Sequence, residues 1–167
     1  MGFTFASQTI GGLISAPIVG YLVDKVKHKK RLVLIGSFGR GASYIVMYFG
    51  IIFSSLITFA VSLFVLGFFV GFFWSPLDVL ISEKSYKSHR SQAFGFRGGM
   101  VGKGNLLGSI ISFTIFGLAI AFVPENLFLV YSPLLFFMLS NVGAGLYFNK
   151  NVDESLTFER YLKDEGL

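Results

Sequence analysis

The chain has 167 residues, of which 53% are hydrophobic and only 14% charged, with 21 Phe, 20 Gly and no Cys. That much apolar side chain exceeds what one soluble core can hide, and the length leaves room for a single domain. The net charge of +5 does not point to nucleic acid, because the basic residues sit in short clusters beside apolar segments rather than on one broad polar face, and the absence of cysteine removes any disulfide or thiolate metal site.

A hydrocarbon core about 30 Å thick takes roughly 20 helical residues to cross. Five stretches reach that length, at 2–23, 32–53, 56–82, 92–123 and 126–149, followed by a tail at 150–167. The expected fold is an all-α membrane protein, a five-helix transmembrane bundle forming one domain over 1–149.

The first span carries Gly11, Gly12, Pro17 and Gly20, small residues that let a neighbouring backbone come close. It has no basic leader and its positive charge follows it, so it is expected to remain in the mature chain rather than be cleaved as a signal peptide. The second and third spans meet at Ser54 and Ser55, and no charged residue occurs from Gly41 to Leu77. This pattern predicts a tight antiparallel helical hairpin.

The fourth span is the richest in glycine, with Gly95 and Gly99, Gly98 and Gly102, and Gly104 and Gly108 paired at four-residue spacing. Close helix packing is expected across that face. Pro124, Glu125 and Asn126 mark the next turn, and Pro133 falls inside the fifth span, where a kink is expected. In the tail, Leu156, Phe158, Tyr161 and Leu162 recur at near-helical spacing, the pattern of an amphipathic surface helix, with disorder as the alternative.

The basic residues occupy alternate junctions. Lys25, Lys27, Lys29, Lys30 and Arg31 follow the first span, Lys84, Lys87 and Arg90 the third, and Lys150, Arg160 and Lys163 the fifth. The junctions around Ser54 and Pro124 carry none. Positive charge in short loops marks the cytoplasmic side. A multi-pass protein of the cell membrane is expected, with its N-terminus outside and its C-terminus in the cytoplasm.

The junction Gly20-Tyr-Leu-Val-Asp24-Lys25-Val-Lys27-His28-Lys29-Lys30 resembles the signature between the second and third helices of major facilitator superfamily transporters. That signature reads Gly, three residues, Asp, Arg or Lys, any residue, Gly, then basic residues; Lys27 stands here where the family has glycine. The stretch from Pro76 to Gly108, with Glu83, Arg90, Ala93, Phe94 and Gly95, is similar to the family's join between its fourth and fifth helices. There an acidic residue lies seven positions before an Arg, and the next helix opens with a small residue and glycine.

The resemblance implies that the five spans correspond to the second through sixth helices of a twelve-helix transporter, an incomplete N-terminal half with the tail as the start of the central loop. The first helix and the C-terminal half are then expected as missing partners, supplied either by a complementary polypeptide or by a longer gene product extending past both ends. It also implies a lipid bilayer as surroundings, a small-molecule or ion substrate, and no cofactor. Gly20, Asp24, Lys25, Lys29, Glu83, Arg90 and Gly95 are the residues to which it assigns motif and gating roles. An Arg common in the family's fourth helix has no counterpart in 56–82, so proton coupling is not implied. Alternating access needs two bundles, so the isolated chain is expected to be inactive; a non-transporting accessory or packing protein, or a truncated remnant, is the alternative.

Four charges fall inside the predicted spans, where an unpaired charge costs several kcal/mol. By helical rise, Arg40 and Lys103 lie roughly 13 to 16 Å from the cytoplasmic ends and Asp78 and Arg97 roughly 6 to 8 Å. Asp78 and Arg97 are expected to form an ion pair. Arg40 and Lys103 are expected to line a polar cavity at the depth where transporters hold substrate, favouring an anion or a carboxylate from the absent half. Snorkelling toward water is the alternative, above all for Arg97. No catalytic constellation or metal spacing is present: His28 and His89 sit in basic loops, and no P-loop or nucleophile elbow occurs.

Overall fold

The computed structural model describes residues 2–154, with the side chains of residues 2–5 and of residue 87 left aside. The segment around Leu156, Phe158, Tyr161 and Leu162 lies outside the described residues. Among the described residues there are helices and no strands: α1 (Gly2–Lys25), α2 (Lys29–Ile52), α3 (Leu56–Lys84), α4 (Arg90–Phe122), α5 (Leu127–Val130) and α6 (Pro133–Asn151), with one 3-10 turn at Lys87–His89. The first four long helices are each long and apolar enough to cross a membrane.

Local chemistry ends each helix. After α2, the Ser54 amide bonds to the Ile51 carbonyl and the Ser55 amide to the Gly50 carbonyl, a Schellman closure with Ser54 at φ 52°. The Ser55 hydroxyl then accepts the Thr58 amide at 3.3 Å and caps α3. One serine closes a helix and the next opens another, which is why the hairpin is so short. Asn126 caps α5 in the same way, its side chain accepting the Leu129 amide at 3.3 Å.

The single helix expected over 126–149, kinked at Pro133, is divided in two in the structure. Pro133 stands at the first position of α6 rather than inside a helix, and α5 is a separate four-residue turn. Proline has no N–H to give to the carbonyl four residues back and its ring crowds that carbonyl. The Leu129 oxygen takes the Ser132 hydroxyl instead, at 2.7 Å.

Small residues build the core. A Cβ at Gly11 would overlap the Phe64 carbonyl oxygen, and one at Gly67 would overlap that of Gln8, so α1 and α3 touch backbone to backbone. Gly36 is held equally close to Phe72 and Phe73 of α3, and Gly145 of α6 would place a Cβ 2.7 Å from Ser37 of α2. Ser15, Ser37, Ser43 and Ser62 are buried in these seams and donate to main-chain carbonyls. Without a hydrophobic driving force between helices in lipid, such close van der Waals approach is the main source of association. The layer order is α1, α3, α2, α6.

α4 is different. No heavy atom lies within 4 Å of where a Cβ would stand at Gly95, Gly98, Gly99, Gly102 or Gly104. Ala119 is its one buried residue. The close packing expected across this glycine face is therefore absent among the described residues; the glycines that pack tightly are those of α1, α2 and α3. Spacing identifies a smooth face, but a close approach also needs a neighbour on that face.

Candidate functional site

α4 stands off from the other helices, so a cleft of about 440 Å³ opens between α2, α3, α4 and α6. Arg40 and Tyr44 come from α2, Phe73 and Trp74 from α3, and Ser140 and Asn141 from α6. The α4 wall is Val101, Gly104, Asn105, Gly108 and neighbours at the same helical face. Arg40 lies 11 residues into α2, about 16 Å along its axis, which is about half the roughly 30 Å of a bilayer's hydrocarbon core.

The guanidinium of Arg40 stands 5.0 Å from the Phe73 ring centre and 6.0 Å from that of Trp74. These are cation–π distances. Tyr44 lies beside it, its ring stacked on Phe137 at 5.6 Å. The Arg40 Nε is buried and has no hydrogen-bond partner among the described residues. Two of the other polar groups are already committed, the Ser140 hydroxyl donating to the Phe136 carbonyl and the Asn141 amide to that of Phe137, both at 2.8 Å.

Trp74 also faces Arg97, whose guanidinium lies 4.4 Å from the indole centre. Arg97 Nη2 is 2.9 Å from Asp78 Oδ1. That oxygen receives no N–H along its axis, so the contact is an ion pair without hydrogen-bond alignment. The pair sits one turn from Trp74, joining α3 to α4 where little else does.

Lys103 is not brought to Arg40. It is exposed, lines no wall of the cleft and has no partner among the described residues. The expectation that both cations share one cavity is corrected: Lys103 lies two residues beyond Val101, about 200° around the helix from the wall that Val101 forms.

The three basic junctions lie at one end of the bundle. Lys29 Nζ pairs with Glu83 Oε1 at 2.9 Å, joining the start of α2 to the end of α3. Arg90 Nε donates to the Ser82 carbonyl at 3.1 Å across the α3–α4 junction. Glu154, beyond α6, accepts the Lys30 amide and lies 3.1 Å from His28 Nδ1. Lys30 Nζ holds the Val152 carbonyl at 2.7 Å, and Lys84 Nζ holds that of Asp153. α2 has no cap of its own from His28, so Glu154 supplies one from 124 positions away. At the opposite end the Tyr48 hydroxyl donates to the Phe128 carbonyl at 2.9 Å, bringing together the two turns that carry no Lys or Arg.

The family model described as Major Facilitator Superfamily matches residues 1–159. The chain belongs to the major facilitator superfamily. No curated protein and no solved structure matches it.

Superfamily members are transporters, and the helical, membrane-length architecture agrees with that membership. Of the residues that the superfamily resemblance marks, Lys29, Glu83 and Arg90 make the cross-junction contacts above. Asp24 is exposed, and Lys25 turns back along α1 to the Tyr21 hydroxyl and ring. Gly20 and Gly95 have open space where a Cβ would stand, so neither serves a close helix approach among the described residues. No group of three or more potential metal ligands occurs among the described residues.

The sequence reading missed Trp74 as the side chain shared by two cations, Asn105 as an uncommitted amide, and Glu154 as the cap of α2. The adjacent aromatics Phe73 and Trp74, one turn before Asp78, were the available signal for the first. Nothing local announces the third.

Proposed function

We propose that this superfamily chain is the membrane-embedded part of a secondary transporter that moves a small solute by alternating access, with its amino end outside and its carboxyl end in the cytoplasm. The observation that carries this reading is the four-helix cleft, which presents Arg40 near mid-bilayer, the depth at which such transporters hold substrate. The clustering of the basic junctions at one end supports the orientation.

Lys103 supports a requirement for further helices. An unpartnered ammonium at that depth costs several kcal/mol against lipid, so the exposed face of α4 is read as meeting protein or water in the working assembly. On this reading the chain alone transports nothing, because rocking needs a second bundle. Proteoliposomes holding the chain alone are expected to exclude a panel of labelled sugars, amino acids and carboxylates, and co-production with the first helix and the complementary second half is expected to restore uptake of at least one. Persistent absence of uptake in the second preparation would favour the accessory, non-transporting role.

Orientation has its own test, made simple by a chain without cysteine. A Glu125→Cys variant is expected to react with an impermeant maleimide on intact cells, and Lys27→Cys only after permeabilisation. The reverse labelling pattern would overturn the orientation.

A further inference from the structure

Arg40 has no counter-charge among the described residues. Away from the helix ends, Asp78 is the single carboxylate among the described residues, and it already faces Arg97. A guanidinium in this setting is stabilised in part by the Phe73 and Trp74 rings and by a hydrogen bond with the Tyr44 side chain, but none of these is an opposite charge, and Nε remains without a partner among the described residues. Charge in a low-dielectric site is held by an opposite charge that also accepts its hydrogens.

Across the cleft, Asn105 is the other polar side chain without a partner among the described residues, since Ser140 and Asn141 donate to their own helix. Apart from Ser140 and Asn141, the rest of the lining is apolar or aromatic, including the stacked Tyr44 and Phe137 rings. A space of about 440 Å³ lies within the range that accepts a small organic ligand.

We propose that the cleft binds a small organic anion, its carboxylate on Arg40 and its apolar or aromatic body against the Tyr44 and Phe137 rings, with Asn105 as the second polar contact. This deepens the transport reading and rests on it for its biological meaning, but the binding itself is a property of the chain alone. A planar carboxylate suits the fork of a guanidinium whose faces are covered by rings.

Trp74 is the single tryptophan and lines the same cleft, so the protein carries its own reporter. Benzoate, benzamide and benzylamine have the same ring and differ in charge. In the full chain in detergent, benzoate is expected to change Trp74 fluorescence saturably, with benzamide at least about tenfold weaker and benzylamine without effect, as the loss of one charge-assisted bond implies. Arg40→Gln is expected to weaken benzoate by about 10- to 100-fold while leaving benzamide unchanged, and Arg40→Lys to recover part of the loss. The unchanged benzamide response keeps the comparison valid against a folding defect, and Asn105→Ala, on the open wall, is expected to cost a smaller factor of about 3 to 10. Equal responses to benzoate and benzamide, an unaltered benzoate response in Arg40→Gln, or no response to any probe would overturn the assignment. The uptake experiment above is independent: its failure alone would leave an anion site in a protein that does not transport.

Discussion

Replacing Gly36 with leucine is expected to leave no monodisperse folded protein in detergent, and Gly36→Ala to lower stability by about 1–3 kcal/mol, the range for overpacking a tight interior. A Cβ at this position would meet the Phe72 carbonyl carbon at 2.6 Å and the Phe73 Cα at 2.8 Å. Both are main-chain atoms of α3 and cannot rotate aside, so the helix axes must separate. Separation would also draw α2 away from α6, where Ser37 donates to the Asn141 carbonyl and packs against Gly145. The matched control is Gly98→Ala on α4, where no neighbour lies within 4 Å; its effect is expected to stay within about 0.5 kcal/mol, as for substitutions that touch nothing. Thermal unfolding followed by circular dichroism, with size-exclusion chromatography, would read both. Equal stability of Gly36→Leu and the parent would mean that the α2–α3 seam does not hold the bundle.

The second large effect is expected at Asp78. Exposed ion pairs contribute about 0–1 kcal/mol, whereas removing one member of a buried pair costs about 3–5 kcal/mol. The Arg97 and Asp78 side chains are 29% and 39% exposed, so the pair falls between those limits. Asp78→Asn is expected to cost about 1–3 kcal/mol, discounted for that exposure. The effect is large for this protein because so little else ties α4 to the bundle. Arg97→Gln is expected to cost a similar amount, and the double variant less than the sum, since each single variant leaves a lone charge behind and the double variant leaves none. Additive losses in that cycle would show that the 2.9 Å contact carries no coupling.

The features legible in the sequence are those decided locally. The Ser54–Ser55 turn and the Asn126 cap need only a few adjacent residues, and the alternation of junctions with and without Lys and Arg depends on chain order alone. Helix type and membrane length followed from composition in the same way. What could not be read is azimuth. Helical rise gives Arg40 and Lys103 similar depths, but depth says nothing about which way α2 and α4 are turned, and Lys103 lines no wall of the cleft. Glycine spacing failed for the same reason, because Gly98 and Gly102 make a smooth face that no described helix uses, while Gly11, Gly36 and Gly67 find partners. Pro133 was seen, but the Ser132 hydroxyl that completes the break was not.

The Glu154 contact has a mechanical consequence. Because its carboxylate holds the first turn of α2, and Lys84 grips the neighbouring carbonyl from the last turn of α3, tension on the polypeptide beyond residue 154 is delivered to those two helices before α6 feels it. The link behaves as a tether across the bundle's base, and whatever pulls on it tugs directly at the pair whose seam Gly36 holds shut.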